Sequence, residues 1–190
     1  MVVHSDEVEP RIIDGTQLRG TRWRLGAVAG SDRAGLSRYR IAPGERAMPV
    51  HVHADEEELF YVLDGEGLSW QDGRAYPVRA GDCVLYRPGA EPHTIVGAGD
   101  GLDVLAFGGG SDTGLTWLPR ARAWWNGPHW VPHDGPSPFD AEEAVGPLDV
   151  PEPETERPPT IVALGDVAPE DFTGGGDVVA VRRDFGDVLG

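Results

Sequence analysis

The amino-acid sequence predicts an all-β fold, an antiparallel sandwich or barrel, and three observations carry that prediction. Glycine at 27 and proline at 17 cut the 190-residue chain into short pieces. No stretch sustains the apolar period of about 3.6 residues that a long helix needs, so helices are expected to be few and short. From Gly35 to Phe107, β-prone runs instead alternate with turn signals. Leu36–Ile41 is the first run, and Ala42-Pro43-Gly44 ends it, because proline fixes φ and glycine accepts a left-handed turn. Val50–His53 follows. Glu58–Leu63 reaches as far as Asp64-Gly65, and Gly67–Trp70 and Ala75–Val78 flank Asp72-Gly73, a dipeptide suited to tight hairpins. Asp82–Tyr86 begins after Ala80-Gly81, His93–Val96 comes after Pro88-Gly89, and Leu102–Phe107 closes the series.

Composition narrows the function. The 16 basic residues are all arginine, so Schiff-base chemistry on lysine is excluded. Against 32 acids they leave a net charge of −16, which repels phosphate backbones and anionic lipid, so neither nucleic acid nor membrane is an expected partner. Cys83 is the single cysteine. It allows no intrachain disulfide and reads as a buried, inert thiol between Asp82 and Val84. The opening residues lack the basic and apolar regions of a signal peptide, and no apolar run is long enough to span a bilayer, so a cytoplasmic location is expected.

The composition shifts after Gly108-Gly109-Gly110. We expect a barrel with an N-terminal arm over 1–110 and a Trp-rich packing segment over 111–135. An acidic, Pro-rich, extended linker is expected over 136–156, and a β-rich tail over 157–190. Four of the six tryptophans, Trp117, Trp124, Trp125 and Trp130, fall in the second segment and are expected to pack outside the barrel or across a subunit contact. His129 and His133 flank Pro132, which argues against a helical ligand pair and places them at the surface or in loops. Residues 22–30 and 182–190 echo each other at Arg22/Arg182, Gly26/Gly186, Val28/Val188 and Gly30/Gly190. The tail reads either as the start of a second repeat or as a plain C-terminal strand; in both cases its apolar runs must add a strand to a sheet, more readily across a dimer than within the subunit.

The chemistry concentrates in residues 44–67. Side chains two apart on a strand face the same way, so His51 and His53 can present imidazole nitrogens to one point. The cluster Asp55, Glu56, Glu57 and Glu58 offers a carboxylate, and strand parity alone does not choose among its members.

This pattern resembles the cupin superfamily. Gly44, His51, His53, Glu58 and Gly65 follow its first motif with one extra residue in the first spacer; Gly81, Pro88 and His93 follow the second, with Ala90 and Gly97 standing where the family has Gly and Asn. The resemblance covers about residues 35 to 107 and implies a double-stranded β-helix, or jelly-roll barrel. It implies one divalent metal per barrel, Fe, Mn, Ni, Co or Zn, held by His51, His53, Glu58 and His93, with Glu58 able to accept a proton. Phe60 and Ile95, with Tyr39, Trp70 and Phe107, are expected to line the pocket, and Arg40 or Arg87 could clamp an anionic substrate. The expected function is a dioxygenase-like oxidoreductase acting on a small molecule. Metal-dependent isomerase, lyase or decarboxylase chemistry and non-catalytic small-molecule binding are the alternatives. Cupins of this kind commonly dimerise, so a homodimer is expected.

Overall fold

The computed structural model describes residues 2–109, 114–126, 129–131, 137–158, 160–167, 170–173 and 179–182. His133 and most of the echo at 182–190 lie outside them. In chain order the described strands are β1 (Arg11–Asp14), β2 (Arg19–Trp23), β3 (Ala34–Ile41), β4 (Val52–His53), β5 (Glu58–Gln71), β6 (Arg74–Arg79) and β7 (Asp82–Tyr86). They continue with β8 (His93–Gly109), β9 (Leu115–Leu118), β10 (Ala123–Asn126), β11 (His129–Val131), β12 (Ile161–Ala163), β13 (Glu170–Thr173) and β14 (Val179–Arg182). Two helices join them, α1 (Leu25–Val28) and α2 (Pro138–Val145). No helix among the described residues is long and apolar enough to cross a membrane.

One sheet runs in the order β1-β2-β3-β8-β5-β7-β12, with β6 paired to the far half of β5; a second runs β11-β10-β9-β4. Together they make the all-β jelly-roll barrel. Its long strands arise where the sequence suggested turns. Asp64-Gly65 does not reverse the chain. It sits at a shift of register in which β8 carries extra residues, so β5 and β8 bend and continue as one pair. Gly65 is required there, since its φ is +79° and a Cβ would lie 2.0 Å from the Gly101 carbonyl oxygen. The core inside the barrel is built from alternate residues of the long strands, among them Phe60, Val62, Ile95 and Val104, with Tyr39, Val84 and Tyr86.

Three segments differ from the sequence expectation. The Trp-rich stretch does more than pack on the barrel: Trp117 and Trp124 lie 4.9 Å apart on the face away from the buried Thr116 and Leu118, while Trp125 turns to the inner face. β9 pairs with β4, with His53 opposite Thr116, so this stretch supplies strands of the second sheet beside the histidine motif. The acidic stretch read as an extended linker forms α2. Ser137 accepts the Phe139 N–H, Pro138 fits the first turn, and Gly146 closes the helix at φ +89°. What anchors it is tertiary: Glu142, 0% exposed, lies 2.8 Å from Arg46 Nη1 and 3.3 Å from Arg120 Nη1. Arg120 also donates to the Gly146 carbonyl, at the negative end of the helix dipole. Finally, the tail does add a strand to the barrel sheet, but within its own subunit. β12 pairs antiparallel with β7, where Val162 faces Cys83 and the two bury with Leu85 and Val167. Although 74 residues (87–160) separate β7 from β12, loop-closure entropy grows only slowly with loop length, so a free edge in the same chain is a closer template than a second copy.

Candidate metal centre

Backbone pairing builds the site. His51 and His93 exchange both main-chain hydrogen bonds, N to O at 3.0 and 2.8 Å, which brings the residue before β4 directly opposite the first residue of β8. Residues paired in this way project side chains to the same face, and the two rings lie 4.6 Å apart. The His53 carbonyl accepts the Gly89 N–H, which ties β4 to the turn before His93. Glu58, the first residue of β5, completes the cluster. Donor atoms of His51, Glu58 and His93 all lie within 4.8 Å of one another. Among the described acids of the motif, Glu56 turns to His53 instead, and Glu57 and Asp55 are exposed.

The orientation of each ring is set by what its Nδ1 touches. That atom lies 2.9 Å from the Pro49 carbonyl oxygen in His51 and 3.0 Å from the Glu91 carbonyl oxygen in His93. Carbonyl oxygens only accept, so Nδ1 carries the proton and Nε2 presents a lone pair. In His53, Nδ1 lies 2.7 Å from Glu56 Oε1, with Thr116 Oγ1 at 3.1 Å, and the same tautomer follows. The three Nε2 atoms then converge on one oxygen, Glu58 Oε2, at 3.2, 3.3 and 3.8 Å for His51, His93 and His53. Three lone pairs facing a carboxylate repel unless a positive charge stands among them. The donor set therefore fits a divalent cation.

The electrostatics differ from group to group. Burial pushes the Glu58 carboxyl up, but wherever Nε2 of His51 and His93 carries a proton rather than presenting a lone pair, the bonds they donate and the charges of His51 and His53 outweigh it and hold the carboxyl well below the usual carboxylate range. Burial lowers His93, against the pull of Glu58, and so favours the neutral ring a metal needs. His53 is raised: burial opposes its charge, yet Glu56, Glu58 and Asp55 together win. Behind His93 the Tyr86 ring stacks at 3.7 Å and 5°, its hydroxyl bonded to Ser69 at 2.7 Å, which fixes the imidazole plane from the core side.

The comparisons with known proteins follow these residues. A family model for the cupin domain matches residues 37–107, which contain all four motif positions. An oxalate-binding protein of Thermotoga maritima is 33% identical over 114 residues, covering 56% of this chain and 91% of that protein. The chain belongs to the cupin superfamily. Among solved structures, a protein of Acidithiobacillus ferrooxidans assigned as a sugar phosphate isomerase is similar at 27% identity and TM-score 0.58, covering 65% of this cupin and 82% of that chain. The polyketide cyclase RemF of Streptomyces resistomycificus is similar at 26% identity and TM-score 0.51, covering 58% and 80%.

In this cupin the cluster opens into a cavity of about 570 Å³ lined by residues of both sheets and of α2. Tyr39 and Phe107 line it, as do His51, His53 and Glu58. Phe60 and Ile95 do not: they share the inward face but lie a layer deeper, where Phe60 meets the edge of Tyr86 and both side chains are fully buried in the core. Trp70 is also off the cavity. It alternates with the inward Ser69 and Gln71, so it faces away from the interior, and its indole N–H donates to the Asp149 carbonyl. Arg40 is bound to Asp103 on the exterior, and Arg87 lies outside the lining, so neither arginine singled out from the sequence reaches the site. Sequence reasoning missed Arg11, Arg22, Ser37, Trp125, Phe139 and Glu143, all of which line the cavity. Strand pairing brings the first three in and α2 the last two. Neither feature leaves a motif.

Proposed function

We propose that this cupin holds a divalent metal ion on His51, His53, Glu58 and His93 and uses it on a small, oxygen-rich molecule, in isomerase, lyase or decarboxylase chemistry. The observation that carries the reading is the convergence of three Nε2 lone pairs on Glu58 Oε2 at the cavity floor. A divalent ion there would supply Lewis acidity, polarising a carbonyl or hydroxyl oxygen and easing loss of a neighbouring proton or carboxylate. Glu58, held as a carboxylate well below its usual range, is a weak base and is a charge-compensating ligand rather than a proton carrier. Glu56 is the other carboxylate of the motif within reach of a bound molecule. It lines the cavity, and with Oε1 on His53 its Oε2 stays beside Gly109. The Tyr39 phenol, raised by burial, stays protonated at neutral pH and can donate a hydrogen bond to a bound oxygen. Helix α2 covers part of the cavity with Phe139, Asp140 and Glu143 and limits water entry.

Charge on the cavity wall favours this reading over the dioxygenase expectation. Ile13, Met48, Phe107, Trp125 and Phe139 give the cavity apolar surface, and Arg11, Asp14, Arg22, Glu56 and Asp140 add charge to it, a mixture that suits a charged, oxygen-rich molecule. The relatives that bind oxalate or are assigned to sugar phosphates support an oxygen-rich ligand. The test is turnover of small hydroxy, keto and dicarboxylic acids and of sugar phosphates by metal-loaded protein, with and without oxygen. Conversion that continues anaerobically is expected. Conversion that stops without oxygen, with stoichiometric uptake when it is restored, returns the site to the dioxygenase class.

A further inference from the structure

We propose that Arg22, with Arg11 beside it and Ser37 beneath it, forms an oxyanion-binding subsite on the wall of the cavity, taking a carboxylate or phosphate group of the substrate. The register of three adjacent strands places these groups. Arg11 of β1 is opposite Arg22 of β2, and Arg22 is opposite Tyr39 of β3, so the three stand in one row across the sheet. All three line the cavity that holds His51, His53 and Glu58. Two guanidinium groups directly across an antiparallel pair repel, and a sheet normally avoids that arrangement unless an anion lies between them.

The surroundings of Arg22 give a second, independent argument. Its Nε and Nη2 both point at Ser37 Oγ, at 3.2 and 3.1 Å, and its guanidinium carbon stands 5.4 Å from the Tyr39 ring centroid. A hydroxyl and an aromatic face hold the group in place without neutralising it. Among the described residues no carboxylate pairs with Arg22. Four other buried or half-buried arginines differ: Arg38 is closed on Asp103, Arg46 and Arg120 on Glu142, and Arg157 on Asp82. In a chain with twice as many acids as bases, a half-buried arginine facing a cavity without an acid partner is suited to an external anion. Guanidinium matches planar carboxylate and phosphate oxygens alike through paired N–H donors, so this chemistry names an oxyanion and leaves its central atom open.

The inference deepens the function proposed above by naming the charge of the substrate, but it does not need the metal to be tested. Metal-free full-length protein is titrated with oxalate and with inorganic phosphate by calorimetry, and the metal content of reloaded protein is measured separately. We expect millimolar or tighter binding of at least one anion to the metal-free protein. Arg22→Gln should weaken it about ten- to a hundredfold, the loss of a charge-assisted hydrogen-bonded pair, while reloaded metal content stays at the wild-type level. Arg22→Lys, which keeps the charge but not the paired donors, should restore part of the affinity and controls for misfolding. The anion that loses more identifies the group recognised. Absence of anion binding in the metal-free wild type, or equal affinity in wild type and Arg22→Gln, overturns the subsite. Failure of the protein to take up metal, with Arg22-dependent anion binding intact, defeats the metal reading and leaves the subsite standing.

Discussion

Asp103 shows how much one side chain contributes when its partners are fixed. It accepts hydrogen bonds from Arg38 at 2.8 and 2.6 Å and from Arg40 at 2.9 Å, and both guanidinium groups also lie over the Trp23 ring. Burial pushes the Asp103 carboxyl up, but the two arginines overcome this and hold it below its ordinary value. The folded protein therefore keeps the proton off more strongly than the unfolded chain does. Its contribution is present above the ordinary value of 3.8 and is lost as pH falls through the lower folded value. Asp103→Asn should cost about 1 kcal/mol at neutral pH, allowing for solvent screening around the exposed Arg40. Urea unfolding of both proteins at neutral pH and at about pH 3 checks the sign, since the gap must narrow in acid; a gap independent of pH removes the carboxylate from the account. The residue scale also separates what a sequence can display. His51 and His53 are visible because a strand turns every second side chain to one face, and His93 because its motif is local. Arg22 was invisible, since its meaning depends on pairing with Arg11 and Tyr39 across gaps that no local pattern records.

Elements repeat that distinction. The runs from Leu36 to Phe107 were legible as strands because each carries its own β-prone residues and turn signals, whereas Asp64-Gly65 gave the same signal for a bulge as for a hairpin. Helix α2 was illegible for a different reason: eight residues are too few to show a period, and the group that fixes it, Glu142, looks in sequence like any acid of an acidic stretch. Its partners are twenty-two residues or more away in the chain. Glu142→Ala leaves Arg46 and Arg120 buried without their counter-charge, so we expect a loss of about 3–5 kcal/mol, the range for breaking one side of a buried ion pair. Denaturant unfolding measures it, and a loss under about 1 kcal/mol would show that α2 is not held by this contact. The tail gives a second element to test. Cys83 sits under β12, and burial pushes its thiol up to about 11, so it should label slowly with a thiol reagent at neutral pH. Deleting residues 157–190 uncovers it. Labelling in the truncated protein should be at least about tenfold faster under native conditions, as expected for a group released from a packed cluster. An unchanged rate would mean that β12 does not cover β7.

At the scale of the molecule, the proposed metal centre would also act as a structural clamp. His53 belongs to β4 of the smaller sheet, Glu58 and His93 open the two long strands of the larger one, and His51 bridges them. A cation bound to all four joins the two sheets at the mouth of the barrel, where the cavity interrupts the apolar core. Binding to the folded state alone stabilises it by about 2.7 kcal/mol when free metal exceeds the dissociation constant a hundredfold. For a chain of this length that corresponds to a rise of about 5–10 °C in Tm. Chelation of the purified protein should therefore lower Tm by that amount, and re-addition of the metal should restore it. The control decides between a specific clamp and general counter-ion screening of a chain with net charge −16. Screening acts on the whole acidic surface and persists in any variant, so it would leave His51→Ala as sensitive to divalent ions as the wild type. A clamp needs its ligands. In His51→Ala the ion loses one of three imidazoles, metal content falls, and chelation should leave Tm nearly unchanged; an equal shift in both proteins would assign the stabilisation to the surface and not to the centre.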